Sequence, residues 1–257
     1  MTATSLESAA RRDRWVVLLS LLGVTTLAWV YLVDMGEMAT MAETMTGTRV
    51  TAATVVDFLL MFVMWVVMMI GMMLPSASPM IPMFARINRN HRNKGEPFVP
   101  TGTFVAGYIV VWSGFSFAAT ALQWGLQEVG LLSPLMASTN AVFGGLVLAA
   151  SGVYQWTPLK HACLRHCQTP LGFLMTRWRD GAGGAFHMGL SHGAYCVGCC
   201  WVLMALLFVG GVMNLLWVAA LAAFVFVEKI APPGCWLPRI AGATLIAWGG
   251  WILGSAL

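Results

Sequence analysis

The run from His187 to Cys200 reads His-Met-Gly-Leu-Ser-His-Gly-Ala-Tyr-Cys-Val-Gly-Cys-Cys. If this stretch is helical, His192, Cys196, Cys199 and Cys200 share one face. An imidazole and three thiols so placed can hold a soft metal ion or form a thiol redox centre. A second group, His161-Ala-Cys163-Leu-Arg-His166-Cys167, sets Cys163 and Cys167 one helical turn apart with His166 beside them. Five of the 6 cysteines and four of the 5 histidines fall between 161 and 200. Cysteine also serves as a small packing residue in apolar helices, but that role does not gather it with histidine. His187 either completes such a site or only lines the interface, and His91, in a basic stretch, reads as solvated.

The methionines bear on which metal. There are 18 in 257 residues, and their positions are patterned. Met35, Met38, Met41 and Met45 recur every three or four residues in a segment that also carries Glu37 and Glu43. Met61, Met64, Met68 and Met72 then fall within an arc of about 80° on a helix, and Met80 and Met83 follow a proline break. Thioether with thiolate is the ligand set that selects Cu(I), whereas Zn(II) sites are built from thiolate, imidazole and carboxylate. Copper is therefore the expected metal, with zinc second. The competing explanation is that a methionine stripe is ordinary helix interface and that the earlier methionines belong to an amphipathic interfacial helix.

The elements that must position these side chains are transmembrane helices. Hydrophobic residues make up 59% of the chain and charged ones 9%, with a mean hydropathy of +0.78, which excludes a soluble domain. Apolar runs near 15–33, 55–74, 103–122, 141–156, 192–210, 212–229 and 239–256 predict an all-α polytopic bundle of seven spans, or six if the short fourth run does not cross. The first run lacks a small-residue cleavage site and reads as a retained helix. Arg11, Arg12 and Arg14, then Arg86, Arg89, Arg92 and Lys94, then Lys160, Arg165, Arg177 and Arg179 occupy alternate connections. The positive-inside rule thus predicts a cytoplasmic N-terminus and an external C-terminus. On this plan residues 1–257 form one helical domain, 34–54 an external methionine-rich loop and 157–187 a cytoplasmic connection. The net charge of +4 follows from that topology and gives no argument for nucleic acid.

Smaller signals complete the plan. Pro75, Pro79 and Pro82 end the second span, and Pro232 and Pro233 separate the last two. Gly250 and Gly254 form a GxxxG pattern suited to close helix packing, within the chain or in a homo-oligomer. Leu171, Phe173, Leu174 and Trp178 could lie on the membrane surface as an amphipathic helix. Glu228 and Lys229 are expected to snorkel at a helix end, Asp57 to reach the headgroups, and Asn214 to cap a helix.

Several of these motifs together resemble a large bacterial family of predicted metal-binding integral membrane proteins, a domain of unknown function. They are Met-Met-Leu-Pro-Ser at 72–76, Cys163-Leu-Arg-His-Cys167 with the following Gln-Thr-Pro-Leu, the run from Met188 to Trp201, Gly211-Val-Met-Asn214, and Glu228-Lys229. The resemblance covers the chain from about residue 55 onward. It implies metal binding and supports Cys163, Cys167, His192, Cys196, Cys199 and Cys200 as ligands, with no implied reaction and no named metal. The expected function is handling of soft metal, most naturally Cu(I) uptake, storage or delivery to a client metalloprotein or metallochaperone, without catalysis. No nucleotide-binding loop is visible. The alternatives are a membrane thiol-disulfide oxidoreductase, in which Cys196 and Cys199 exchange with Cys163 and Cys167, and a metal-dependent membrane enzyme using the same cysteines.

Overall fold

The structure, a computed structural model, describes residues 3–46, 55–92, 99–132, 140–232 and 234–256, with side chains described from 15 to 38 in the first of these stretches and from 55 to 89 in the second. It is all-helical, and no β-strand occurs among the described residues. In chain order the helices are α1 (Ala3–Thr46), α2 (Val55–Ser76), α3 (Met80–Arg92), α4 (Thr101–Glu128), α5 (Ala141–Tyr154), α6 (Pro158–Gln168), α7 (Pro170–Arg177), α8 (Gly181–Ala205), α9 (Leu207–Gly210), α10 (Leu215–Ile230) and α11 (Leu237–Ala256). Four stretches are long and apolar enough to cross a membrane: Trp15–Met38 in α1, α2, α4, and Gly181–Gly210 spanning α8 and α9. Helices α5, α10 and α11 occupy the other three predicted runs. With 14 residues, α5 is about 21 Å long, less than the roughly 30 Å of a hydrocarbon core.

Helix α8 stands at the centre. Half of its apolar window is buried inside the protein, against 11% of that of α1, which therefore lies at the edge. Helix α4 packs along α8, α2 packs on α4, and α6 closes the cluster from another side, while α5 pairs with α11. The α4–α8 contact is made backbone to backbone. A Cβ on Gly107 would collide with the Phe186 carbonyl, and one on Gly189 with the Phe104 carbonyl, so only glycine fits at either position. Helix α5 meets α11 in the same manner at Gly145 and Gly152, which face Gly249 and Gly242.

Three expectations are corrected here. Gly250 and Gly254 face open space, and the small residues that α11 uses are Gly242 and Gly249, seven apart, so the packing seam within the chain is not the GxxxG pair. The segment after Asp34 is not a loop as far as Thr46, because α1 continues through it; Met, Ala and Glu are strong helix formers. Residues 47–54 lie outside those described. Phe173 and Leu174 point into the core at 2% and 1% exposure instead of lying on a membrane surface, whereas Leu171 remains exposed. They turn inward because Pro158 and Pro170 break the connection into two short helices, α6 and α7, and α7 lies against α3 and α6.

Other local features follow the sequence. The side chain of Asn214 caps α10, its Oδ1 accepting from the Trp217 amide at 3.2 Å. Pro75 lies in the last turn of α2, and the turn at 77–79 separates it from α3. A Gly189→Ala substitution should drive α4 and α8 apart and destabilise the protein by about 1–3 kcal/mol, whereas Gly250→Ala should change stability by less than about 0.5 kcal/mol. Thermal unfolding in detergent, followed by tryptophan fluorescence, distinguishes the two; equal midpoints would overturn the assignment of the seam.

Candidate metal centre

Helix α8 begins at Gly181, whose φ of 76° lies in the left-handed region that favours glycine. Its start lies about ten residues before the predicted one, so His192 to Cys200 occupy the middle of the helix and not its mouth. Cys196, Cys199 and Cys200 are 1%, 0% and 0% exposed. From α6, Cys167 reaches within hydrogen-bonding range of the sulfurs of Cys196 and Cys199. Cys163, one turn earlier, rests against α8 where Gly198 leaves room: a Cβ there would lie 2.8 Å from its Sγ. The two predicted cysteine groups therefore meet.

All six cysteines are free thiols. Cys199 and Cys200 donate to the Cys196 carbonyl at 3.1 and 2.9 Å, the i−3 and i−4 partners of buried helical thiols. Among the described residues no three His, Cys, Asp or Glu side chains stand as a ready-made metal-holding group. The thiols are paired with one another and with the backbone, and a metal would have to replace those bonds.

Cys196 is the most heavily contacted sulfur. Lys229 Nζ, from the last turn of α10, donates to it at 2.8 Å and to Ser76 Oγ at 2.8 Å. The Tyr108 hydroxyl of α4 lies 3.0 Å from the same sulfur and donates to the Met73 carbonyl at 3.0 Å. Ser76 Oγ donates to that carbonyl too, at 2.7 Å. Beside this group Lys160 Nζ and Glu228 Oε2 form an ion pair at 2.8 Å, with side chains 0% and 1% exposed. Glu228 and Lys229 thus do not snorkel. Each has a partner on another helix that makes burial tolerable.

The histidines divide. His192 is 3% exposed, stacks on Tyr108 and Phe104 and meets Phe173 edge-on. Its Nδ1 is buried without a hydrogen-bond partner among the described residues, an orphan of the kind a metal can satisfy. His166 is stacked on Tyr195 at 4.0 Å with Nδ1 2.9 Å from the Ala162 carbonyl. His187 sits 3.4 Å from Ser191 Oγ. His166 and His187 line one cavity of about 520 Å³, together with Met188, Ser191, Trp178, Arg177, Arg179 and Thr176. Met188, His192 and Cys196, four residues apart on α8, run from that cavity towards the cluster.

Met64, Met68 and Met72 are buried along α2, joined by Met69 and Met73, which the stripe pattern did not include. Met61 Sδ accepts from Gln123 Nε2 at 3.0 Å, and Gln123 Oε1 accepts from Trp65 Nε1 at 2.6 Å. Met35 is half-buried and Met38 exposed near the end of α1; the side chains of Met41, Met45 and His91 lie outside those described. Sequence reasoning missed Lys229, Tyr108 and Ser76 as parts of the site. The signal for Lys229 was available, since an ionisable residue adjoining an apolar span points to function before it points to a helix end.

A family model described as a copper chaperone, PpoB2, matches residues 62–252. The chain belongs to the PpoB2 copper chaperone family. The match includes α3 to α10 entire and every cysteine and histidine placed above. No curated protein and no solved structure matches the chain. The PpoB2 match supports the metal-related character of the motifs and associates the family with copper.

Outside the long helices, three groups on α6 titrate away from their ordinary values. Burial, then the charge of Lys160, pushes His161 down. Burial pushes the Cys163 thiol up, and bonding to Cys196 and Cys199, then burial, holds that of Cys167 well up. Folding therefore favours the protonated thiols. Their contribution is full below the ordinary thiol value of 9.0 and declines as pH rises above it. Iodoacetamide added to the native protein at pH 8 should label the half-exposed Cys235 first and Cys163 slowly. Cys167, Cys196, Cys199 and Cys200 should react only after unfolding, as read by peptide mass spectrometry. Early labelling of Cys199 would contradict the burial of the cluster.

Proposed function

We propose that this chain is a membrane-embedded copper chaperone that holds Cu(I) between thiols of α6 and α8 and passes it to a client metalloprotein or metallochaperone. The observation that carries this reading is the convergence of Cys167, Cys196, Cys199 and Cys200, from two helices, in an interior from which water is excluded. Soft thiolates in that setting suit a soft monovalent ion, and thioethers line the neighbouring helix. The copper is cargo. His192, with its free Nδ1, and Met188 provide intermediate ligands between the cluster and the cavity beside α7.

The bilayer reading is supported by the four membrane-length helices and by the large apolar side chains they expose, among them Trp15, Leu19, Leu22, Leu59 and Leu60. The basic connections then set the α6–α7 side towards the cytoplasm of a bacterial inner membrane and the Met35 end of α1 outside. In that orientation the methionines of α1 and α2 form a path inward. Met61 lies towards its outer end, and at its inner end the backbone carbonyl of Met73 accepts from the Tyr108 hydroxyl that touches the Cys196 sulfur.

The test is metal titration of the detergent-purified protein under reducing, anaerobic conditions against a competing chelator. The wild type should hold Cu(I) tightly. Cys196→Ser combined with Cys199→Ser should lose that binding while keeping its thermal midpoint and elution volume. Unchanged copper stoichiometry in the double variant would overturn the assignment. Replacing Met35, Met38, Met41 and Met45 with Leu should slow copper acquisition in reconstituted vesicles loaded from the outer side and leave equilibrium binding unaltered; equal rates would remove the methionine path.

A further inference from the structure

Among the described residues the buried charged side chains are Lys160, Glu228 and Lys229. Lys160 and Glu228 neutralise one another. Lys229 is left with a hydroxyl and a sulfur, Ser76 Oγ and Cys196 Sγ, each at 2.8 Å. With Cys196 as a neutral thiol the region carries one positive charge in excess, where an uncompensated charge is strongly disfavoured. Five helices contribute to it: Ser76 ends α2, Tyr108 belongs to α4, Lys160 to α6, Cys196 to α8, and the Glu228-Lys229 pair closes α10.

We propose that Lys229 is the counter-ion of an anionic complex in which a monovalent soft cation is held by two thiolates, one of them Cys196, and that this charge balance selects monovalent over divalent metal. The inference rests on the cysteine site of the preceding section. Any proton still on a sulfur passes to solvent as that sulfur takes the metal. A monovalent ion between two thiolates carries one net negative charge, which the ammonium cancels. A divalent ion in the same two-coordinate geometry leaves a neutral complex beside an uncancelled lysine. Selection then comes from charge and needs no difference in ligand number or shape.

Ag(I) and Hg(II) both accept linear bis-thiolate coordination and differ in charge, so they are the probes. Their affinities for the full-length protein in detergent, at one pH, are measured by competition with a soluble dithiol. In Lys229→Met the preference for Ag(I) over Hg(II) should fall by about two orders of magnitude, and Lys229→Arg should restore it. Glu228→Gln, whose amide oxygen can still accept from Lys160, adds to the positive excess and should move the preference in the opposite direction. General destabilisation would lower both affinities together and cannot produce opposite shifts. A ratio unchanged in both Lys229→Met and Glu228→Gln, with Ag(I) still bound at the cysteines, would overturn the counter-ion role and leave the cysteine site standing. If the wild type binds neither ion at its cysteines, the site itself fails, and the counter-ion with it.

Discussion

Everything in the cluster depends on how closely two helices approach. At Gly107 and Gly189 the backbones of α4 and α8 touch without intervening side chains. That contact brings the hydroxyl of Tyr108 to the sulfur of Cys196, 88 residues further along the chain, and lays its ring against His192. Separation of the two helices by the width of a side chain would break both contacts. Gly198 does the same service on another face of α8, where its missing side chain admits Cys163. The glycines of this protein set distances between chemical groups.

The second constraint is dielectric. Water solvates neither Lys160, Glu228 nor Lys229 here, so each needs its charge answered within the protein. The answers come from different helices, and they tie α10 to α6 through Lys160 and Glu228, and to α8 and α2 through Lys229. Gln168 Nε2 adds a bond to the Glu228 carbonyl at 3.0 Å. Removing one member of such a buried pair typically costs about 3–5 kcal/mol, far more than an exposed ion pair is worth. The same contacts that hold the bundle together therefore fix the electrostatics around the thiols.

Helix positions were legible from the sequence because apolar runs and proline breaks are local signals. The meeting of the two cysteine groups was open from adjacency, since the connection at 157–187 that carries Cys163 and Cys167 leads directly into the helix that carries the other three. The start of α8 was not legible: glycines between 181 and 184 diluted the apolar signal, although the helix runs through them. Lys229 was misread for a different reason. A lysine at the end of an apolar run snorkels or turns inward according to what faces it, and what faces it here lies 33 and 153 residues away in sequence. Gly250 and Gly254 had the right spacing for a seam, but which face of a helix meets its neighbour is decided by the neighbour.

More sulfur is present than a two-coordinate ion needs. Cys167 and Cys200 each lie within hydrogen-bonding reach of Cys196 and Cys199, and Cys163 stands just beyond them on α6. A surplus donor beside an occupied pair allows associative ligand exchange: the ion gains a third sulfur before it releases one and is never bare. On the proposed function, affinity and lability would not be opposed in the cluster, because the unused thiols that would make the cargo hard to lose to solvent would also be the stepping points by which it leaves for another protein.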